Sequence, residues 1–218
     1  MTPIRVGIIG LSSRTGAHEV GGWCAVAHMP FLKGSPKYQI IAITGRTVES
    51  AKKTVAAHGL PDTTKVYTSA KEIAADPDID LVVVSLRVEK HFENTLPALQ
   101  AGKNVFLEWP FGASTAEAEK MTQLAAEKGV KTFTGLEGRT DWLTQKVKQI
   151  IADGKIGKVI CSTLSASSGL LPSSFWVEDA QYYLDMSSGG NDYHTYFGHC
   201  MCFQILWVIC IKLTCSWQ

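Results

Sequence analysis

A glycine-containing turn follows the first β-type segment of the chain, and its residue types suit the binding of a diphosphate. Val6–Ile9 leads directly into Gly10, Leu11 and Ser12. In turns of the pattern G-x-G-x-x-G, backbone amides at the start of the next helix point at a pyrophosphate. Gly10 fits the first glycine, whereas Ser12 and Thr15 stand at the second and third positions. The turn therefore predicts dinucleotide binding, and the alternative is a βα turn that holds no ligand.

The residues after the second β-type segment indicate which dinucleotide this turn would accept. An NAD-specific site usually has a carboxylate there, which accepts a hydrogen bond from the ribose 2′-hydroxyl. This chain has Thr44, Gly45, Arg46 and Thr47 at that place, without an acidic residue. A guanidinium suits a phosphate group, so Arg46 favours NADP(H) over NAD(H). The alternative is that Arg46 is a solvated loop residue.

The elements that must position these residues alternate between strands and helices. Val82-Val83-Val84 is apolar on successive residues, which is typical of a strand covered on both faces of a parallel sheet. The alternation predicts an α/β fold with a Rossmann-type, doubly wound parallel sheet over residues 1–138. Six segments are predicted strands: Val6–Ile9, Tyr38–Thr44, Lys65–Tyr67, Leu81–Leu86, Val105–Glu108 and Val130–Thr134.

Capping residues mark the helix boundaries between these strands. Ser69 with Glu72, and Ser114 with Glu117, have the spacing of a capping box, in which hydroxyl and carboxylate each accept from a backbone amide. Glycine tolerates the left-handed conformation that closes a helix. Four predicted helices are expected to end in this way, at Gly59, Gly102, Gly129 and Gly154.

The pattern changes after Gly154, and we expect a second domain to begin over residues 139–218. Gly157–Leu164 is predicted as a strand, and a loop rich in serine, glycine and proline follows it. No further βαβ unit is evident. This region is short for a domain with its own hydrophobic core.

Composition and charge exclude several classes of protein. Of 218 residues, 45% are hydrophobic, which is typical of a folded chain rather than a disordered one. Twenty-one basic residues against 20 acidic ones predict no direct binding of nucleic acid. The six cysteines include no C-x-x-C pair, so no metal site is expected. The apolar stretch Phe203–Leu213 is too short to span a membrane, and no secretory signal precedes the first strand, so we expect a cytoplasmic protein.

Several stretches in this order resemble the glucose–fructose oxidoreductase/inositol dehydrogenase/MocA (Gfo/Idh/MocA) family. They are Arg5–Leu11, Ala27–Leu32, His91 ahead of Ala98–Val105, Glu108-Trp109-Pro110, Gly138-Arg139 and Ile151–Val159. The resemblance implies a Rossmann domain followed by an antiparallel α+β domain, which would be incomplete here. It also implies hydride transfer between a nicotinamide dinucleotide and a sugar-like or polyol substrate, and a homo-oligomer as one expected assembly.

The resemblance also implies functional residues. The cofactor would contact Gly10, Leu11, Ser12, Gly22, Trp23, Arg46, Leu86, His91, Glu108 and Trp109. His91 is expected near the nicotinamide ribose or in a packing role. Trp109 would stack on a ring or pack in the core, and Glu108 would bond the loop or the ribose. His199 is the candidate acid/base, since a histidine titrates near neutrality.

Two departures from the family pattern affect the predicted chemistry. The usual Glu-Lys-Pro is Glu108-Trp109-Pro110 here, and an indole cannot carry a proton to an alkoxide. The aspartate four residues before the histidine is replaced by Thr195. These changes resemble a branch that includes a fungal galactose-pathway co-regulator. The alternative function is therefore a catalytically silent, dinucleotide-binding co-regulator with a transcription-factor partner and a nuclear location.

Two further segments differ from the family. Residues 14–21 lengthen the phosphate loop, so either the helix begins near Trp23 with Gly21-Gly22 at the pyrophosphate or the loop is displaced. From about residue 203 the sequence no longer matches the family, which suggests a truncated product with an unrelated tail. A non-functional fragment is accordingly a third hypothesis.

Overall fold

Residues 2–14, 22–161 and 178–204 are described by the computed structural model, and they fall in two compact units, 1–135 and 136–218. The sequence analysis placed this boundary after residue 138. The first unit is a six-stranded, wholly parallel sheet in the order β3-β2-β1-β4-β5-β6. This confirms the predicted Rossmann-type fold. The strands are β1 (Ile4–Ile9), β2 (Tyr38–Thr44), β3 (Lys65–Tyr67), β4 (Leu81–Val84), β5 (Asn104–Glu108) and β6 (Thr132–Gly135).

Helices cover both faces of the sheet. Their bounds are α1 (Met29–Gly34, preceded by a π-helical turn at Cys24–His28), α2 (Val48–Ala57), α3 (Ala70–Ala75), α4 (His91–Gln100) and α5 (Thr115–Lys128). Successive residues of a strand point to opposite faces, so each face receives its own apolar set. Val83 packs with Ile8 and Ile43 on one face, while Val82 and Val84 pack on the other. The run of three valines in β4 is therefore buried on both sides, as predicted.

Most of the predicted capping chemistry is present. Ser69 and Glu72 form a capping box at the start of α3. Ser114 accepts from the amide of Glu117, but the Glu117 carboxylate accepts from the amide of Ala113 (2.9 Å) instead of closing the box. Thr47 and Ser50 form a capping box that the sequence analysis did not identify. The four helix-ending glycines all have positive φ, from 57° to 72°.

The second unit is helical over its described residues. It contains α6 (Trp142–Ala152), α7 (Asp192–Gln204) and three short 3₁₀ turns (Glu137–Arg139, Glu178–Leu184 and Met186–Ser188). Asp141 caps α6 by accepting from the amide of Leu143 (2.9 Å). The predicted strand Gly157–Leu164 is not formed at residues 157–161, and its remainder lies outside the described residues. A strand needs a partner to receive its backbone hydrogen bonds, and the described part of this unit contains none. Among the described helices, none has the length and hydropathy to cross a bilayer.

Ion pairs connect the segments at the amino-terminal ends of the strands. Arg5, in β1, donates from Nε to Asp80 Oδ2 (3.0 Å) and from Nη2 to Oδ1 (2.9 Å). The nearly buried carboxylate of Asp76 accepts from Lys65 Nζ (3.0 Å), from the Tyr67 hydroxyl (2.9 Å) and from the Asp78 amide (2.9 Å). Burial alone would raise the pKa of Asp76, but these hydrogen bonds outweigh it and hold the pKa below its usual value.

We expect Asp76→Asn to lower the free energy of unfolding by about 1–3 kcal/mol near neutral pH, because an amide offers one acceptor oxygen where the buried Asp76 carboxylate offers two to Lys65, Tyr67 and the Asp78 amide. The depressed pKa contributes stability above the unfolded value of about 3.9, and this is lost as pH falls through the folded value. Urea unfolding between pH 7 and pH 2.5 should therefore show a shallower acid loss in Asp76→Asn than in the wild type. Asp62→Asn, in an exposed turn, is the control. Equal acid loss in Asp76→Asn and the wild type would contradict the assignment.

Candidate functional site

The strand order reverses between β1 and β4. In doubly wound sheets such a reversal marks the crevice for ligands, at the carboxyl ends of the parallel strands. Four chain segments leave the sheet along that edge: Gly10–Ser12 after β1, Gly45–Arg46 after β2, Ser85–Arg87 after β4, and Glu108–Pro110 at the end of β5. They include most of the residues predicted to contact a cofactor. The topology of the first unit thus brings together segments that are far apart in sequence.

Gly10 lies close against the chain that leaves the end of β4. Its φ is +100°, a conformation that side chains disfavour. A Cβ atom at this position would lie 2.1 Å from the carbonyl oxygen of Ser85 and 2.9 Å from Leu86 Cδ2. Only glycine therefore fits the first position of the predicted phosphate-binding turn.

The next two residues of the turn, Leu11 and Ser12, are fixed by contacts with the protein core and with the end of α2. Leu11 is buried in the core beneath α1 and α2. The carbonyl oxygen of Ser12 accepts from His58 Nε2 (2.7 Å), and the carbonyl of His58 accepts from Lys33 Nζ (2.7 Å). The hydroxyl of Ser12 accepts from the Arg14 amide (2.9 Å). Sequence reasoning missed His58, since no local pattern relates the end of α2 to a turn 46 residues earlier.

The helical segment after the turn begins at Trp23, which agrees with the helix start in the first of the two alternatives considered from the sequence. The place of Gly21-Gly22 at a pyrophosphate stays a prediction. Gly22 is buried, and its carbonyl accepts from the Val26 amide (3.1 Å). The indole of Trp23 is about half exposed. Residues 15–21, which include most of the extra loop, lie outside the described residues. Gly22 and Trp23 therefore stand at the amino-terminal end of the helical segment, where backbone amides have no acceptor within the helix.

Glu108 is buried at the end of β5 and bonds to the helical segment. Its Oε1 accepts from Trp23 Nε1 (3.0 Å) and contacts His28 Nε2, while Oε2 lies 3.3 Å from the Trp109 amide. The imidazole of His28 also packs edge-on against Phe106 at a centroid distance of 5.0 Å. This geometry favours the alternative in which Glu108 bonds the loop. Contact with a ribose stays a prediction.

His91 joins the ends of β4 and β5. It is 1% exposed, with Nδ1 2.8 Å from the carbonyl oxygen of Pro110 and Nε2 2.9 Å from that of Leu86. Burial lowers the pKa of this imidazole, although both carbonyls oppose the shift. The geometry favours the packing role over cofactor contact. The side chains of Leu86 and Trp109 are each partly buried at the same edge.

Arg46 stands exposed where β2 ends, and in the described part of the chain it takes part in no ion pair. Gly45 beside it packs on α2, because a Cβ atom there would lie 2.8 Å from the Ala51 amide. The described residues fit a dinucleotide in two respects: a turn that only glycine can make, and a guanidinium that is available to a 2′-phosphate. Within the described residues no cluster of histidine, cysteine or carboxylate side chains could hold a metal ion.

The candidate acid/base lies on α7 of the second unit. His199 Nδ1 is 3.7 Å from Glu137 Oε2, and its side chain is about one third exposed. Thr195, at the position where the sequence pattern would have an aspartate, donates from its hydroxyl to the carbonyl of Gly190 (3.3 Å). Among the described residues, Glu137 is the carboxylate that His199 contacts, and the sequence analysis did not identify it.

Comparison with known proteins gives consistent matches. The GFO_IDH_MocA model, an oxidoreductase family with an NAD-binding Rossmann fold, matches residues 4–136. The chain is 35% identical to the dehydrogenase aclE of Aspergillus oryzae over 191 residues, which are 86% of this chain and 50% of that protein. It is 29% identical to the galactose/lactose metabolism regulatory protein GAL80 of Saccharomyces cerevisiae, over 90% of this chain and 45% of that protein.

A solved structure agrees with these matches. The crystal structure of a super-repressor mutant of Gal80p from Saccharomyces cerevisiae superposes with a TM-score of 0.75 at 26% identity, covering 94% of this chain and 52% of that one. The chain spans about half the length of the curated relatives it matches.

Gly10→Ala should destabilise the protein by about 2–5 kcal/mol, since the added Cβ meets the Ser85 carbonyl and the backbone conformation is strained. Gly34→Ala is the matched control, because nothing lies within 4 Å of its Cβ position and its φ is ordinary. It should change stability by less than about 1 kcal/mol. Thermal unfolding of both variants gives the measurement. A Gly10→Ala protein as stable as Gly34→Ala would contradict the close approach.

Proposed function

Because the chain belongs to the Gfo/Idh/MocA oxidoreductase family, which has an NAD(P)-binding Rossmann fold, we propose that it is an NAD(P)-dependent oxidoreductase. It would bind the dinucleotide at the carboxyl ends of β1, β2, β4 and β5. It would transfer a hydride to or from a sugar-like or polyol substrate, interconverting a hydroxyl and a carbonyl group.

The observation that supports this proposal most directly is the turn at Gly10. It lies where the strand order reverses, and it packs so closely on the chain after β4 that a Cβ atom on Gly10 would lie 2.1 Å from the Ser85 carbonyl oxygen. Ligands of doubly wound sheets bind at this kind of reversal. The following helical segment begins at Trp23, and the start of a helix favours a negatively charged group.

Each part of the dinucleotide has residues of suitable chemistry. The amides of Gly10–Ser12 and of Gly22 and Trp23 would hold the diphosphate. Arg46 would pair with the 2′-phosphate, which favours NADP(H) over NAD(H). The bound nicotinamide supplies the hydride donor or acceptor, and the protein supplies orientation.

Proton transfer to or from the substrate oxygen requires a titratable side chain. Trp109 has only an indole N–H to offer and cannot exchange a proton near neutrality. We assign this role to His199, because an imidazole is suited to general acid–base catalysis and a partly exposed one is accessible to substrate.

A second candidate function is regulatory. Trp109 stands where a proton-carrying lysine would act, and the Glu108 carboxylate beside it is engaged by Trp23 and His28. These observations favour a protein that binds a dinucleotide without turning it over. The similarity to GAL80 suggests a transcription factor as the partner of such a protein.

Arg46→Ala should raise the Kd for NADPH by about tenfold or more, while the Kd for NADH changes by less than about threefold, since only NADPH carries the 2′-phosphate. Calorimetric titration of both cofactors measures the two constants. Lys128→Ala removes one exposed positive charge at the other end of the sheet and should leave both values unchanged. Equal weakening for both cofactors, or no weakening, would contradict the assignment of Arg46.

His199→Ala should lower turnover by at least about a hundredfold, with cofactor affinity preserved, because general acid–base catalysis contributes on that order. Nicotinamide absorbance with a panel of sugars and polyols provides the assay. His194→Ala, an exposed histidine on the same helix, is the control. Turnover that survives in His199→Ala refutes the acid/base assignment. Cofactor binding without turnover by the wild type on any substrate favours the regulatory function.

A further inference from the structure

The carboxylate of Glu108 is committed to protein partners on both oxygens. Its side chain is 9% exposed, Oε1 accepts from Trp23 Nε1 at 3.0 Å and contacts His28 Nε2, and Oε2 faces the Trp109 amide at 3.3 Å. A buried carboxylate is costly unless its oxygens are hydrogen-bonded. Glu108 meets that requirement through Trp23 and His28, which lie 85 and 80 residues earlier in sequence, on the helical segment that precedes α1.

The sheet leaves this carboxylate little freedom to turn elsewhere. Glu108 pairs with Gly135 in the register of β5 and β6. A Cβ atom on Gly135 would lie 2.4 Å from Glu108 Oε2 and 2.9 Å from its Cδ, so the carboxyl group fills the space that a side chain on β6 would take. The carboxylate is thus confined between β6 and the helical segment.

The donors that meet Glu108 are part of the candidate dinucleotide site. Trp23 is the first helical residue after Gly22, and His28 lies on the next turn. Between them, Cys24 is buried in the apolar cluster that includes Val83 of β4. The first turn of this segment is consequently hydrogen-bonded to the end of β5 and packed in the same cluster as β4, at the crevice where the strand order reverses.

We infer that Glu108 is a positioning residue for dinucleotide binding: it fixes the start of the helical segment over β5, so that the amides of Gly22 and Trp23 are held in place for the diphosphate. This inference rests on the proposed function. In this role Glu108 acts through Trp23 and His28. Affinity should therefore depend on the donors opposite the carboxylate as well as on Glu108.

Matched substitutions at two positions test this role. Glu108→Ala removes both acceptor oxygens, whereas Glu108→Gln keeps one. His28→Leu keeps much of the volume but loses the donor, whereas His28→Gln retains an N–H at similar reach. The Kd for NADPH and the Tm are measured for each variant of the full chain. Glu119→Ala, an exposed glutamate on α5, is the control.

We expect Kd to rise at least about tenfold in Glu108→Ala and in His28→Leu, and less than about threefold in Glu108→Gln, His28→Gln and Glu119→Ala. If Glu108→Ala fails to fold, the two His28 variants decide. Two results would overturn this inference and leave the proposed function standing. One is an unchanged affinity for NADPH in folded Glu108→Ala or His28→Leu. The other is an equal loss of affinity in His28→Leu and His28→Gln. A wild-type chain that binds neither NADPH nor NADH overturns the proposed function and this inference together.

Discussion

The candidate site of the first unit depends on the close approach of the turn after β1 to the chain that leaves β4. Gly10 has a positive φ and no side chain. A Cβ atom at this position would lie 2.1 Å from the carbonyl oxygen of Ser85, so only glycine allows the turn to pass there. Because β1 and β4 are the two central strands, this contact sets the crevice at the reversal of strand order. The segments proposed to hold a dinucleotide leave the carboxyl ends of β1, β2, β4 and β5 at this crevice.

Polar side chains then fix the backbone along the same edge. His91 bonds to carbonyls at the ends of β4 and β5, His58 bonds to the turn after β1, and Glu108 bonds to the start of the helical segment. His91 and Glu108 are buried, and their contacts satisfy polar groups that would otherwise be costly. The same contacts limit their chemistry, since a side chain whose polar atoms are engaged by the protein is poorly placed to exchange protons with a substrate.

The framework of the family is therefore retained, while its usual proton-carrying position is not. Trp109 follows the anchored Glu108 at the end of β5 and offers only an indole N–H. Dinucleotide binding and hydride transfer make separable demands on the protein: the first needs the turn and the helix start, and the second needs an acid/base. The oxidoreductase and the regulatory proposals share the first demand and differ in the second.

The sequence by itself determined the fold of the first unit and the place of its crevice. β2 and β3 have the predicted bounds, because an apolar run between turn residues is a local signal, and Gly10 was identified by its spacing from β1. The predicted strand β4 extended to Leu86, yet it ends at Val84, where the chain turns toward the His91 ring. The strand expected from Gly157 lacks a described partner, which no local pattern reveals.

Only the tertiary structure decided what the polar residues around the crevice do. The contacts of Glu108 with Trp23 and His28 span 85 and 80 residues, and that of His58 with Ser12 spans 46. Sequence spacing carries information about neighbours within a helix or a strand. It carries none about which buried carboxylate or imidazole meets which donor or carbonyl, because that depends on packing the whole sheet.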